Sequence, residues 1–170
     1  MIRFADVLLW AAEVEVEVGD LNQAETYMNL VRARAANPNG WVKTYIDNND
    51  PGAGFTTTPA ANYKVGLYTQ FSVKGQAFAR DAVHFERKLE LAMEGHHFFD
   101  LQRRDNGTGS MADEINTYLN HETHIAGYNY SNVDGAKFIK GKNDLFPTPQ
   151  NEIDQSVNNG ASVLKQNPGW

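Results

Sequence analysis

Apolar residues recur at steps of three and four along residues 3–18, at Phe4, Val7, Leu8, Ala11, Ala12 and Val18. That period predicts a helix with one packed face. Inside it, Val14-Glu15-Val16-Glu17-Val18 alternates with a period of two, the pattern of a half-buried strand. The stripe upstream and the Gly19-Asp20 break downstream favour helix. Asp20 stands where it can cap a following helix, with Gln23 in the capping-box position three residues on. That second helix is predicted over 21–36, with Leu21, Ala24, Met28, Val31 and Ala35 on one face. Two helices joined around Gly-Asp-Leu-x-x-Ala have the layout of a tetratricopeptide hairpin, closed late by Pro38. No second copy follows at the 34-residue period of that repeat.

Residues 37–73 lose the period and carry Asn-Pro, Asn-Gly and Asp-Pro-Gly turn signals, so a long ordered loop is expected. It holds Trp41, Tyr45, Phe55, Tyr63, Tyr68 and Phe71, too many rings for a bare linker. A third helix is predicted over 75–94, with Phe78, Ala82, Phe85, Leu89 and Ala92 as its apolar stripe. Gly95 bends it, and 96–104 adds a turn or two. Residues 111–122 read as a short helix with Met111, Ile115, Tyr118 and Leu119 on one side. Beyond it the chain reads as irregular, and Pro147 and Pro149 enforce an extended segment. The expected organisation is a helical hairpin over 1–36, an aromatic-rich loop over 37–73, a motif helix over 74–105, and a short helix with an irregular tail over 106–170. The class is mainly α, with no sheet larger than a hairpin.

Composition narrows the function. Of the 170 residues, 41% are apolar and 21% charged, which is ordinary for a globular domain and argues against wholesale disorder. A net charge of −6 with no basic stripe argues against a nucleic-acid partner. The absence of cysteine excludes disulfides, thiol catalysis and cysteine zinc sites. Met1-Ile2-Arg3-Phe4 runs straight into a helical pattern, so no signal peptide opens the sequence, and no apolar run approaches membrane-spanning length.

Four words of the sequence carry a family resemblance. They are Arg3-Phe4-Ala5-Asp6-Val7-Leu8-Leu9-Trp10-Ala11-Ala12-Glu13, Leu30-Val31-Arg32-Ala33-Arg34-Ala35, the stretch from Phe85-Glu86-Arg87 to Glu94-Gly95 and Asp100-Leu101, and Phe146-Pro147-Thr148-Pro149-Gln150-Asn151-Glu152-Ile153-Asp154 closing on Gln166-Asn167-Pro168-Gly169-Trp170. In this order they resemble the C-terminal part of the SusD/RagB family of outer-membrane glycan-binding lipoproteins. His96-His97 stands where the family often has arginine, and Gln102-Arg103 where Arg-Trp is common. The resemblance implies a tetratricopeptide-like helical scaffold with long loops. It also implies a non-enzymatic subunit at the cell surface that passes oligo- or polysaccharide to a SusC-like TonB-dependent transporter. A lipid-anchor cysteine, which the family carries near its mature N-terminus, is not in this sequence. By the same resemblance the chain is the back portion of such a protein, expected to bind glycan weakly alone. It would then self-associate through apolar surface around Phe4, Leu8 and Trp10. A helical-repeat module that contacts protein instead of sugar is the alternative.

Candidate chemistry is sparse. Glu86, Glu90 and Glu94 lie at i, i+4 and i+8 on one helix face. A glycosidase needs two carboxylates on opposite sides of a glycosidic bond, which neighbours on one helix do not provide. With Arg87 and Arg103 nearby, a structural ion-pair network is expected, with Glu90 and Glu94 at least partly buried. His121-Glu122-Thr123-His124 spaces its histidines by three, against four in the zinc-protease motif, so no metal is assigned. Asp47-Asn48-Asn49-Asp50-Pro51-Gly52 fails the EF-hand rule at its fifth position and, with Thr58, at its twelfth. No cofactor motif is present. The best ligand candidates are Trp41 and Tyr45, whose rings can stack on sugar C–H faces, with Asn39, Asp47 and Asn49 for hydroxyls. The competing reading is that these rings pin the loop onto the helices.

Overall fold

In the alternating stretch of 14–18 the two periods compete, and packing decides for helix. Val16 falls with Leu9 and Ala12 on the buried face of α1 (Phe4–Val18), so α1 runs through without a break. The computed structural model of the chain describes residues 2–127 and 135–170. Gly19 ends α1 at φ 94°, where a side chain would be strained, and its N–H donates to the Glu15 carbonyl. Asp20 Oδ1 accepts the Gln23 N–H at 3.0 Å and starts α2 (Leu21–Ala36). α2 buries Ala24, Met28 and Val31.

The buried face of α1 is rotated from the expected stripe. Asp6, Leu9, Ala12 and Val16 are inside, while Phe4, Val7 and Val18 are exposed. The reason is that α1 packs on both α2 and α4. Its second contact is made by charged residues that an apolar count does not register.

The stretch 37–73 is more ordered than a loop. After a 3₁₀ turn at Pro38–Gly40, β1 (Lys43–Tyr45) pairs antiparallel with β2 (Phe55–Pro59), and Tyr45 stands opposite Phe55. The connection is held by Asx turns. The Asn49 N–H donates to Asp47 at 2.8 Å, and the Gly52 N–H to Asp50 at 3.0 Å. The expected long ordered loop therefore holds a hairpin, followed by α3 (Phe71–Lys74). Between hairpin and α3 the chain lies along α2. The Asn29 side-chain amide donates to the Tyr68 carbonyl at 2.8 Å and accepts the Tyr68 N–H at 2.9 Å. Glu25 accepts the Phe71 N–H at 2.9 Å.

α4 (Gln76–Glu90) buries Ala79, Ala82, Val83, Glu86 and Arg87. The expected stripe is again displaced: Phe85, Leu89 and Ala92 are exposed. The helix turns its Glu86 and Arg87 inward because α1 and α2 offer them opposite charges. It also stops at Glu90, earlier than predicted, and Met93 (φ 66°) and Gly95 (φ 78°) carry the turn. The core of this part is Leu9, Ala12, Val16, Ala24, Met28, Val31, Phe71, Ala79, Ala82 and Val83.

The chain divides into two units, the first ending at His97 and the second beginning at Phe98. α5 (His96–Asp105), which falls in the second from Phe98 on, and α6 (Ser110–Thr123) bury Leu101, Met111 and Ala112. Of the stripe expected on α6, Tyr118 is exposed, and Ile115 and Leu119 are half-buried. The tail is not wholly irregular: α7 (Gln150–Gln155) is followed by β3 (Val157–Asn158) and β4 (Ala161–Ser162), an antiparallel pair. The irregular reading of 128–134 lies outside the described residues. Among the described residues the fold is mainly α, and each sheet has two strands.

Candidate functional site

Strand pairing brings two rings together. Tyr45 and Phe55 stack with centroids 5.1 Å apart and planes at 26°. Both remain open to solvent, 43% and 57% exposed, and Val42 and Ile46 beside them are exposed as well. A stacked, solvent-facing aromatic pair carries a cost in exposed apolar area that a purely structural pair avoids. Trp41 has a different setting. Its ring stacks on Tyr63 at 5.0 Å, its indole N–H donates to the Ala35 carbonyl at 3.0 Å, and the Lys43 ammonium sits 5.9 Å from its centroid. Trp41 thus ties the hairpin base to the end of α2.

The polar candidates are partly spent on the backbone. Asp47 Oδ1 holds the Asn49 N–H, and the Asn39 N–H donates to Asn37 Oδ1 at 3.0 Å. The side chains of Asn39 and Asn49 are on exposed residues. The structure therefore places Asn39, Trp41, Tyr45, Asp47 and Asn49 on one hairpin and its base. Phe55, which was not singled out as a contact, joins Tyr45. Its signal in the sequence was two aromatics flanking a chain reversal through Asp-Pro-Gly.

The acidic face of α4 is answered from the preceding helices. Glu86 is paired with Arg32. Arg3 donates to Glu90 at 2.8 Å and to Glu94 at 2.7 and 3.0 Å. Arg34 reaches Glu90 at 2.5 Å. Arg87 donates to Asp6 at 2.8 Å, both side chains all but fully buried, and its guanidinium lies 5.6 Å from the Trp10 centroid. Arg103 is bonded to Asp100 in the second unit. Arg3, Arg32 and Arg34 thus supply partners to all three glutamates. These partners reach α4 and the turn after it from outside the helix, because elements brought side by side place long arginines close to its carboxylates. Glu90 is largely buried, but Glu94 sits on an exposed residue, against the expectation for it.

Farther along the same seam, His84 Nε2 lies 3.6 Å from Glu13 and Arg80 donates to Glu17 at 2.6 Å. The rungs from Arg3 through Asp6 and Glu13 to Glu17 meet α4 and the turn after it in antiparallel order. Hydrogen bonds from Arg3 hold the Glu94 carboxyl below its usual range, and those from Arg80 do the same for Glu17. Arg3 and Arg80 are raised in turn by these bonds.

The charged residues of this seam hold helices together. Among the described residues, no three histidines, aspartates or glutamates converge as metal ligands, and no helix is long and apolar enough to cross a membrane. His121 is beside Glu122, and His124 follows the end of α6.

The whole chain, residues 1–170, matches the family model described as "SusD family". The chain belongs to the SusD family. No curated relative and no solved structure matches it. For this SusD-family chain the match spans both units, so the second unit is as much part of the family pattern as the helical core.

Proposed function

We propose that this SusD-family chain serves nutrient binding without catalysis. It would take part at the outer-membrane surface in delivering oligo- or polysaccharide to a SusC-like TonB-dependent transporter. The observation that carries the class is the family match over residues 1–170. The observation that favours a carbohydrate contact is the solvent-facing Tyr45–Phe55 stack. Two stacked rings on a hairpin offer an apolar platform for a sugar face, and Asn39, Asp47 and Asn49 stand on the same hairpin for its hydroxyls. Trp41 supports that platform from its base.

The test is affinity electrophoresis and calorimetry of the chain against plant, algal and host glycans, alongside Tyr45→Ala and Phe55→Ala. Retardation or heat that weakens about tenfold in either variant fits a lost contact of ~1.4 kcal/mol. Binding unaffected by both changes removes the hairpin from the site. Release of reducing sugar from any glycan of the panel would overturn the non-enzymatic reading.

A protein-interaction role is the second reading, and one observation favours it. Phe4, Val7, Val14 and Val18 line an exposed side of α1, the surface on which another helix packs in helical-repeat proteins. Concentration-dependent sedimentation, abolished by Val7→Lys with Val14→Lys, would support that role.

A further inference from the structure

Outside the hairpin, the second unit holds a cleft of its own. The last turns of α6 present Asn116, Leu119, Asn120 and Thr123 on one face, and His124 follows directly. Opposite them runs Gly135-Ala136-Lys137, and the open cleft between has a volume of about 410 Å³. That is within the range of small-ligand sites, about 300–1,000 Å³. The far wall is fixed by one residue. The Asn116 amide donates to the Phe138 carbonyl at 2.9 Å and accepts the Phe138 N–H at 2.8 Å. The segment leading into Phe138 is therefore anchored to α6 through its backbone.

The lining has a definite chemistry. His124 Nδ1 lies 2.7 Å from the Asn120 carbonyl oxygen. A carbonyl can only accept, so Nδ1 donates to it. The Asn120 side chain supplies a donor and an acceptor together, and Lys137 supplies a cation. Leu119 and Ala136 supply apolar surface. Among the described residues that line the cleft there is no aspartate or glutamate, although the chain as a whole carries a net charge of −6. A ligand that suits this set must donate and accept hydrogen bonds, offer small apolar faces and carry negative charge.

We propose that this cleft binds one pyranose unit bearing a carboxylate, a hexuronate of an acidic polysaccharide. Ring hydroxyls meet Asn120 and His124, a C–H face meets Leu119 and Ala136, and the carboxylate meets Lys137. The site is carried by the second unit alone and uses none of the hairpin residues, so it stands or falls separately from the Tyr45–Phe55 platform.

The test uses the full isotope-labelled chain, with nuclear magnetic resonance titrations of galacturonate, galactose and acetate. Saturable shifts at 119–124 and 135–137 are expected with galacturonate, and a response at least about tenfold weaker with galactose. Lys137→Ala should erase the difference between the two sugars, and Asn120→Ala should weaken both. All three changed or reporting polar residues, Asn120, His124 and Lys137, are exposed, so the variants retain the fold, checked by unchanged circular dichroism. Equal response to galactose and galacturonate overturns the proposal. So does a response to acetate as strong as to galacturonate, shifts confined to other residues, or no saturable shift at all.

Discussion

The two units of this chain are organised by different forces. The first is built on packing. Leu9, Val16, Met28, Phe71 and Val83 are fully removed from solvent, and Phe71 meets Tyr68 and Phe78 with centroids 5.2 and 6.0 Å away. In the second, Leu101, Met111 and Ala112 are the buried apolar residues among those described, while Phe99, Phe146 and Val163 stay exposed. Its order rests on side chains that bond the backbone. Asp105 accepts the Met111 N–H at 2.9 Å and the Gly107 N–H at 3.1 Å, holding the turn into α6. Gln166 accepts the Thr148 N–H at 2.7 Å and donates to the Thr148 carbonyl at 2.9 Å. The Trp170 indole donates to the carbonyls of Lys142 and Leu145. Yet both units use one device in common. Asn29 and Asn116 each hold an extended segment by a two-way amide bond, to Tyr68 and Phe138. The lesson is that polar bonds fix a path for the chain in either setting, while burial sets how much stability follows.

The largest effect should come from the buried charge of the first unit. Arg87→Met strips Asp6 of its hydrogen-bonded partner, while Asp6 Oδ2 is buried without a hydrogen bond and has His96 Nδ1 at 3.8 Å. Loss of one partner of a buried pair costs about 3–5 kcal/mol. The midpoint of urea denaturation should fall steeply, and a midpoint unchanged from the parent would show that the Asp6–Arg87 pair adds nothing to the hold of α1 on α4.

The two asparagines sharpen the comparison. Asn29→Ala and Asn116→Ala each leave a backbone N–H and C=O without partner, at a cost of about 1–3 kcal/mol per buried group left unsatisfied. Asn29→Ala should lower the melting temperature of the chain. Asn116→Ala, in a more solvated setting, should instead speed amide hydrogen exchange around Phe138 with a smaller change in melting. The reverse order would mean that the second unit is the more tightly held.

Acid should act on both units. The lowered Glu17, Glu94 and Asp105 carboxyls take up protons more readily in the unfolded chain. Their stabilisation is present above the ordinary carboxylate range, about pH 4, and is lost as pH falls through their lowered values. Melting temperature should be flat near neutrality and drop below that range. Since these groups are solvent-accessible, the drop should be shallow and should shrink in high salt. A rise in stability on acidification would contradict the assignment.

The smallest effect is expected at the exposed stripe of α4. Phe85→Ser and Leu89→Ser should change stability by no more than about 0.5 kcal/mol, as surface substitutions do. A loss of core size at either position would show that these side chains are covered in solution.

Local signals read well in this sequence. The Gly19 stop, the Asp20 cap and the bounds of α1 and α2 follow from residues a few places apart, because helix ends are satisfied by near neighbours. The mainly helical class and the family words were legible for the same reason. The hairpin within 37–73 was not, although its turn residues were visible, because Lys43-Thr44-Tyr45 is too short to show a period. The Tyr45–Phe55 stack and the α6 cleft were hidden too, since each joins residues well separated in sequence.

What the sequence determined by itself is α1 and α2 with their Gly19 stop and Asp20 cap, most of α4 and α6, and the stock of charged and aromatic side chains. The tertiary structure decided which face of each helix turned inward. An apolar count put Phe4, Val7, Phe85 and Leu89 inside, but burial went to Asp6, Glu86 and Arg87. A buried charge is stable only beside its opposite. Arg87 has Asp6 and Glu86 has Arg32, partners 81 and 54 residues away in sequence, so only the folded arrangement could settle it.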